Sequence, residues 1–249
     1  MNILILDTET TGIEKDDQVI ELGFMVFDGE NIIGSYNDRC KPTKEIAFGA
    51  MATHHITPEM LEDEPPLSET ASFKALEGYN YPENYIVIHN APFDLAMLEN
   101  GGFVNQMQVI DTLAVTKHLR DFERYNMQYL RYRLGIYKIE EQMIEKYGLE
   151  KDAGAHSALG DVHVLYILFR YLIKVLMEET ERIGFAVKRM CELTQEPVLL
   201  RRWPLKKHKG DDMRQVVETD FQYIAWVLKN VKDNPDLIYT INYYLDAQR

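Results

Sequence analysis

Cysteine is nearly missing from this chain, which carries only Cys40 and Cys191. They lie far apart and in no metal-ligand spacing, which argues against a disulfide framework or a zinc knuckle and makes a reducing cytoplasm the expected setting. Long hydrophobic runs are missing too. The longest, Val164 to Met177, is broken by Arg170 and Lys174 and is too short to span a bilayer. The N-terminus enters Asn2-Ile3-Leu4-Ile5-Leu6 with no basic stretch or cleavage site, so a secretory signal is not expected. Basic residues are also scarce, 27 Lys and Arg against 40 Asp and Glu, for a net charge of −13. Non-specific nucleic-acid affinity comes from cations that release counterions, so this composition argues against a static DNA-coating protein.

What is there points to an enzyme of moderate size. In 249 residues, 46% are hydrophobic and 27% charged, enough for a sizeable core in one large domain or one domain with a small appendage. The charge is uneven. Residues 197–249 hold nine Lys/Arg against seven Asp/Glu, a net of +2, and the rest holds 18 against 33, a net of −15. An acidic body with a mildly basic tail suits an enzyme that holds a few nucleotides through metal ions and borrows grip from its tail.

Apolar stretches predict strands over Asn2–Leu6, Val19–Phe27, Asn31–Asn37, Tyr85–His89 and Gln108–Asp111, with turn-prone Gly12 and Asp28-Gly29 between the first three. Helical patterns fall near Ser68–Leu76, Pro92–Asn100, Asn126–Leu134 and Leu159–Glu179. The alternation predicts an α/β domain with a mixed five-stranded sheet flanked by helices. Domain boundaries are expected at 1–180 for this body, 181–196 for a linker that continues loosely to Pro204, and 197–249 for a small, mostly helical module. That module would end in helices around Phe221–Asn230 and Pro235–Leu245.

Three segments carry carboxylates where burial is expected. Along a strand, alternate residues share a face, so Ile3, Ile5, Asp7 and Glu9 point the same way. Two buried like charges need a partner, such as a divalent cation; the alternative is a strand running out into solvent. Asp94 lies in the first turn of the helix that Asn90 and Pro92 introduce, where the helix dipole alone would stabilise it. Met97 and Leu98 nevertheless put it on that helix's apolar face. In the long helix after Ser157, His163, Arg170 and Lys174 form one stripe, expected to face solvent. Asp161 falls about 160° from that stripe, among Leu165, Leu168 and Leu172. An inward charge there requires a cation, a buried ion pair or protonation. His156 precedes the helix in a loop, and with an inward Asp five residues on it is a candidate general base, its ordinary pKa near 6.5 suiting that task. By itself a loop histidine is more often a surface residue. Four carboxylates and one histidine, all hard or borderline donors, suit Mg²⁺ or Mn²⁺ in preference to zinc. Two such ions about 3.5–4 Å apart are the usual machinery for in-line attack on a phosphodiester.

Asp7-Thr8-Glu9-Thr10-Thr11-Gly12, His89-Asn90-Ala91-Pro92-Phe93-Asp94 and His156-Ser157-Ala158-Leu159-Gly160-Asp161 resemble, in order and over roughly residues 1–178, the three motifs of the DEDDh (DnaQ-like) exonucleases. The resemblance implies a ribonuclease H-like fold and stepwise 3′→5′ release of nucleoside 5′-monophosphates. It further implies two Mg²⁺ or Mn²⁺ ions held by Asp7, Glu9, Asp94 and Asp161, with His156 activating water. The backbone near Thr10 and Thr11 would approach the terminal nucleotide, with Asn90 and Phe93 beside it. Thr53-His54-His55-Ile56-Thr57 is similar to a family segment reading His-Gly-Ile-Thr, which implies a substrate contact for His54; an exposed His pair before a helix capped by Thr57 is the alternative. Trp203 to Gly210, followed by Asp220 to Trp226, resembles the small C-terminal module of exodeoxyribonuclease X-type enzymes. There Arg201, Arg202, Lys206, Lys207 and Lys209 around Trp203 would combine phosphate-binding charge with a stacking surface; a solvated basic loop is the alternative. The expected substrate is DNA, single-stranded or at duplex 3′ ends, in repair or recombination. An RNA-trimming enzyme and a subunit that docks on a polymerase or repair complex are the competing readings.

Overall fold

Two apolar faces on one sheet organise the protein. The computed structural model describes residues 1–147, 157–180 and 182–247. Five strands, β1 (Ile3–Thr10), β2 (Val19–Asp28), β3 (Asn31–Arg39), β4 (Tyr85–Ile88) and β5 (Gln108–Asp111), line up in the order β3-β2-β1-β4-β5. The hairpin partners β1–β2 and β2–β3 run antiparallel, and β1–β4 and β4–β5 run parallel. The helices are α1 (Phe48–His54), α2 (Ala71–Tyr79), α3 (Ala91–Asn100), α4 (Thr112–Leu119), α5 (Met127–Arg133), α6 (Glu140–Tyr147), α7 (Ala158–Thr180), α8 (Ile183–Gln195), α9 (Met213–Thr219), α10 (Phe221–Asn230) and α11 (Pro235–Asp246).

Strand alternation sorts the core into two layers. Ile5, Met25, Val87 and Ile110 face α7 and α8, burying Leu165, Leu168, Leu172, Met190 and Leu193. Leu4, Leu6, Phe24, Ile86 and Ile88 face the other way, onto Phe73 and Leu76 of α2 and Met97 and Leu98 of α3. Each such fully buried Leu or Ile contributes about 1.5–3 kcal/mol. A third cluster of Trp203, Met213, Val216, Val217, Ile224, Val227, Leu237 and Ile241 forms the interior of a helical C-terminal module.

Several sequence expectations are corrected. Residues 183–195, expected within a linker, form α8, because Ala186, Val187, Met190 and Leu193 make a helical apolar stripe that buries against the body. His163, expected in a solvent stripe, is only 5% exposed, on a helix against which α5 and α6 both pack. The stripe's other members do reach the surface, where Arg170 pairs with Glu30 at 3.1 Å. Strand β1 continues four residues beyond the expected Leu6, which carries its carboxylates into the sheet. Helices α1, α4, α6 and α9 were not evident from the sequence; the first and last span only seven residues.

Candidate active site

The same alternation that builds the core aims the carboxylates. Asp7 and Glu9 leave β1 on the face covered by α7, and Thr8 leaves it on the face covered by α3. Gly23 lies opposite Asp7 in β2, and its lack of a side chain lets the start of α7 rest on the sheet. A Cβ there would stand 2.7 Å from the Leu159 nitrogen and 2.8 Å from the Ala158 carbonyl carbon. Opposite Glu9 in β2 is Glu21, only 2% exposed, which accepts the Ala158 N–H at 2.9 Å and pairs with Arg39 at 3.3 Å. A carboxylate at a helix N-terminus satisfies an orphan donor and the dipole together. Glu21 thereby fixes α7, and with it Asp161.

Asp7, Glu9 and Asp161 converge so that one carboxylate oxygen of each lies within 4.8 Å of the others. Asp94, 4% exposed, stands beside them with Oδ1 accepting from the Thr8 hydroxyl at 2.7 Å and the Thr8 N–H at 3.2 Å. Gln128 donates to Asp161 at 3.1 Å, and Arg131, paired with Glu140 at 2.6 Å, lies behind Gln128. Burial above all, then the charges of Asp94, Asp161 and Glu9, holds the Asp7 carboxyl well above the usual range. Burial, followed by Asp161, pushes Glu9 up to about 8. Burial also raises Asp94 to about 7 against the lowering pull of the Thr8 hydrogen bonds. A cluster in which Asp7, Glu9 and Asp94 resist ionisation beside Asp161 fits a hard divalent cation, whose charge would offset theirs.

Other sequence-predicted residues fare differently. His156 lies outside the described residues. Asn90 occupies the helix-start position with a left-handed backbone (φ 74°) and no side-chain cap; its N–H donates to Asp111, and its exposed amide borders Ala91–Asp94. Phe93 is half-buried beside Asp94. The Thr10 and Thr11 hydroxyls are occupied internally, by the Gly12 carbonyl and Asp17. His54 is not an exposed pair with His55 but is 5% exposed, its Nδ1 accepting from Ile56 N–H at 2.9 Å, and burial lowers its pKa. His55 adopts φ 61°, a left-handed conformation that explains why glycine is common there.

In the tail, Trp203 is 1% exposed and is the centre of the module's core, not a stacking surface. Its size and apolar neighbours put it inside, a role that a tryptophan among lysines does not advertise. Lys207 is tied to Asp220 at 2.6 Å and lies over Tyr223, while Lys206 and Lys209 are exposed. Sequence reasoning missed Thr8, Glu21 and Gln128. Glu21 was legible in principle as a lone acid inside the apolar run Val19–Phe27.

A ribonuclease H-like sheet with clustered carboxylates at the end of its central strand defines a nuclease. The family model described as Exonuclease (RNase T type) matches residues 4–169, and the chain belongs to that family, in its DEDDh, DnaQ-like branch of 3′→5′ exonucleases. Among its relatives, Escherichia coli exodeoxyribonuclease 10 is 26% identical over 97% of this chain and 98% of its own. The DNA polymerase III epsilon subunit of Rickettsia felis is 26% identical over 83% of this chain and 93% of its own. The solved structure of exonuclease X in complex with 5′-overhanging duplex DNA superimposes with a TM-score of 0.55 at 23% identity. It covers 77% of this chain and 99% of that one.

Proposed function

We propose that the protein removes nucleotides from the 3′ end of DNA, single-stranded or at duplex ends, as nucleoside 5′-monophosphates. The observation that carries this reading is the convergence of Asp7, Glu9 and Asp161 beside Asp94. Asp7, Glu9, Asp94 and Asp161 would hold two Mg²⁺ or Mn²⁺ ions, which when bound supply charge neutralisation and Lewis-acid activation at the phosphodiester. His156, just ahead of α7, takes the proton from the attacking water. The water oxygen bonds to phosphorus as the bond between phosphorus and the 3′ oxygen of the penultimate nucleotide breaks, and a solvent water supplies that leaving oxygen with its proton. The exposed amide of Asn90 and the ring of Phe93 flank the terminal nucleotide, with the Thr10–Thr11 backbone and His54 forming the opposite wall. Relatives named for DNA-directed activities, over nearly the whole chain in the case of exodeoxyribonuclease 10, support DNA over RNA as substrate. The test follows 5′-labelled DNA and RNA oligomers of equal sequence in competition, with Mg²⁺ or Mn²⁺. Progressive shortening of the DNA, absent in Asp7→Ala and Asp161→Ala, is expected. Preference for RNA would reassign the substrate, and undiminished activity in both variants would overturn the site. The polymerase-subunit relative favours a second reading, association with a polymerase, tested by pull-down with the full chain and with residues 197–249 removed.

A further inference from the structure

The catalytic body and the C-terminal module meet at a groove of about 700 Å³, within the range of about 300–1,000 Å³ typical of ligand sites. Its charge runs against that of the protein. The chain as a whole is at −13, yet six cations line the groove, Lys117, Arg120, Arg124, Arg201, Arg202 and Lys209, against three acids, Asp121, Glu123 and Asp236. The acids do not neutralise them. Six cations less three acids leave a net +3, and Asp236 spends its acceptor on the Val198 N–H at 2.9 Å instead of on a cation. Asp121 and Glu123 stand 3.8 and 3.9 Å from Arg201 and Arg124, both largely exposed, too long and too wet to count as strong pairs. Arg120 is braced by the Tyr171 hydroxyl at 2.8 Å, which holds its guanidinium in place.

The groove's wall is joined to the carboxylate cluster along the chain. Its segment Arg120–Tyr125 runs on through Asn126, the cap of α5, to Gln128, which hydrogen-bonds Asp161. The Tyr125 carbonyl is bonded by His89 at 2.7 Å, one residue before Asn90. The chain that lines this cationic groove therefore leads directly to a residue bonded to Asp161.

We propose that this groove is a track for the nucleic-acid strand upstream of the scissile end, gripping its phosphates through Arg124, Arg201 and Lys209. The inference rests on the exonuclease reading above. It relocates the tail's grip from Trp203 and Lys207, which are buried or paired, to the seam between module and body. An acidic protein segment is the other occupant such charge would take, and the measurement discriminates between them.

Fluorescence anisotropy of a labelled 20-nucleotide DNA on the full chain in EDTA reads binding without hydrolysis, so the groove is tested whatever the outcome of the activity assay. The triple variant Arg124→Ala, Arg201→Ala, Lys209→Ala is expected to weaken binding by tenfold or more. Its salt slope should fall by roughly 0.7 for each phosphate that is no longer neutralised. In the activity assay, KM for the 20-mer should rise with kcat unchanged, while a trinucleotide is hydrolysed as before. Arg124→Ala alone, at an exposed loop position, should show a smaller shift in the same direction and covers the case in which the triple variant fails to fold. Lys229→Ala removes a charge outside the groove and should change nothing. Wild-type protein that fails to bind the 20-mer, variants that bind as wild type, or an equal loss in Lys229→Ala would each overturn the proposal.

Discussion

The Glu21 carboxylate accepts the backbone N–H of Ala158 at 2.9 Å, joining positions 137 residues apart in the chain. It is the tether between the sheet and the helix that carries Asp161. Glu21→Ala should lower stability by about 1–2 kcal/mol, the usual range for a lost N-terminal cap. It should lower kcat/KM more than that, because Asp161 is no longer held against Asp7 and Glu9. Thermal unfolding and steady-state kinetics check both, and Glu21→Gln should recover more stability than Glu21→Ala. Wild-type kcat/KM in Glu21→Ala would refute the positioning role.

Gly23 offers an independent test of the same junction. Its hypothetical Cβ meets backbone atoms of Leu159 and Ala158 at 2.7 and 2.8 Å, which cannot swing away as a side-chain tip would. Gly23→Ala should destabilise by about 1–3 kcal/mol, as overpacking does, and depress activity by displacing α7. A variant with unchanged melting temperature and activity would show that α7 has more room than the geometry gives it.

The pH dependence of the metal-free protein follows from Glu9. Its carboxyl is raised from 4.5 to about 8 on folding, so the folded state binds the proton more tightly than the unfolded one. That contribution favours folding below about pH 4.5 and drains away as pH climbs through 8. In EDTA, the melting temperature should therefore fall between pH 5 and pH 8, with Asp7 and Asp94 adding to the fall, and Glu9→Gln should make it shallower. Mg²⁺ should restore the wild type at pH 8 and do little at pH 5, where the ligands hold protons. Superimposable pH profiles for wild type and Glu9→Gln would count against this account.

Thr8 supplies Asp94 with both a hydroxyl and an amide donor. Thr8→Val keeps the shape and the amide and deletes the hydroxyl. Loss of such an outer partner typically costs 10–100-fold in metal affinity or activity, so the Mg²⁺ concentration for half-maximal activity should rise by about that factor. A Mg²⁺ titration of initial rate decides it, and an unshifted midpoint would assign Thr8 to packing alone.

The sheet and the long helix were readable from the sequence because periodicity reports local burial directly. Val19–Phe27 and Leu159–Glu179 differ by one or two residues from β2 and α7. The inward turn of Asp161 was readable for the same reason, as Leu165, Leu168 and Leu172 share its side of the helix. The solvent stripe failed at His163 because a helix's outer face is covered or exposed according to segments distant in sequence, and α5 and α6 pack on α7. Trp203 failed likewise: lysines crowd it in sequence, but α9, α10 and α11 close over it in space. Thr8 escaped notice because its partner lies 86 residues away. Short-range pattern reveals which residues turn inward, and only the fold reveals what they meet.

Strand β1 serves both faces of the sheet, sending Asp7 and Glu9 to one helix layer and Thr8 to the other. The carboxylate cluster is therefore distributed over three layers, and it exists only when all three are docked. A nascent chain that has delivered β1, β2 and α3 still lacks Asp161 and the helix start that Glu21 anchors. The cluster is consequently complete only once residue 161 has been made and the start of α7 has docked on Glu21.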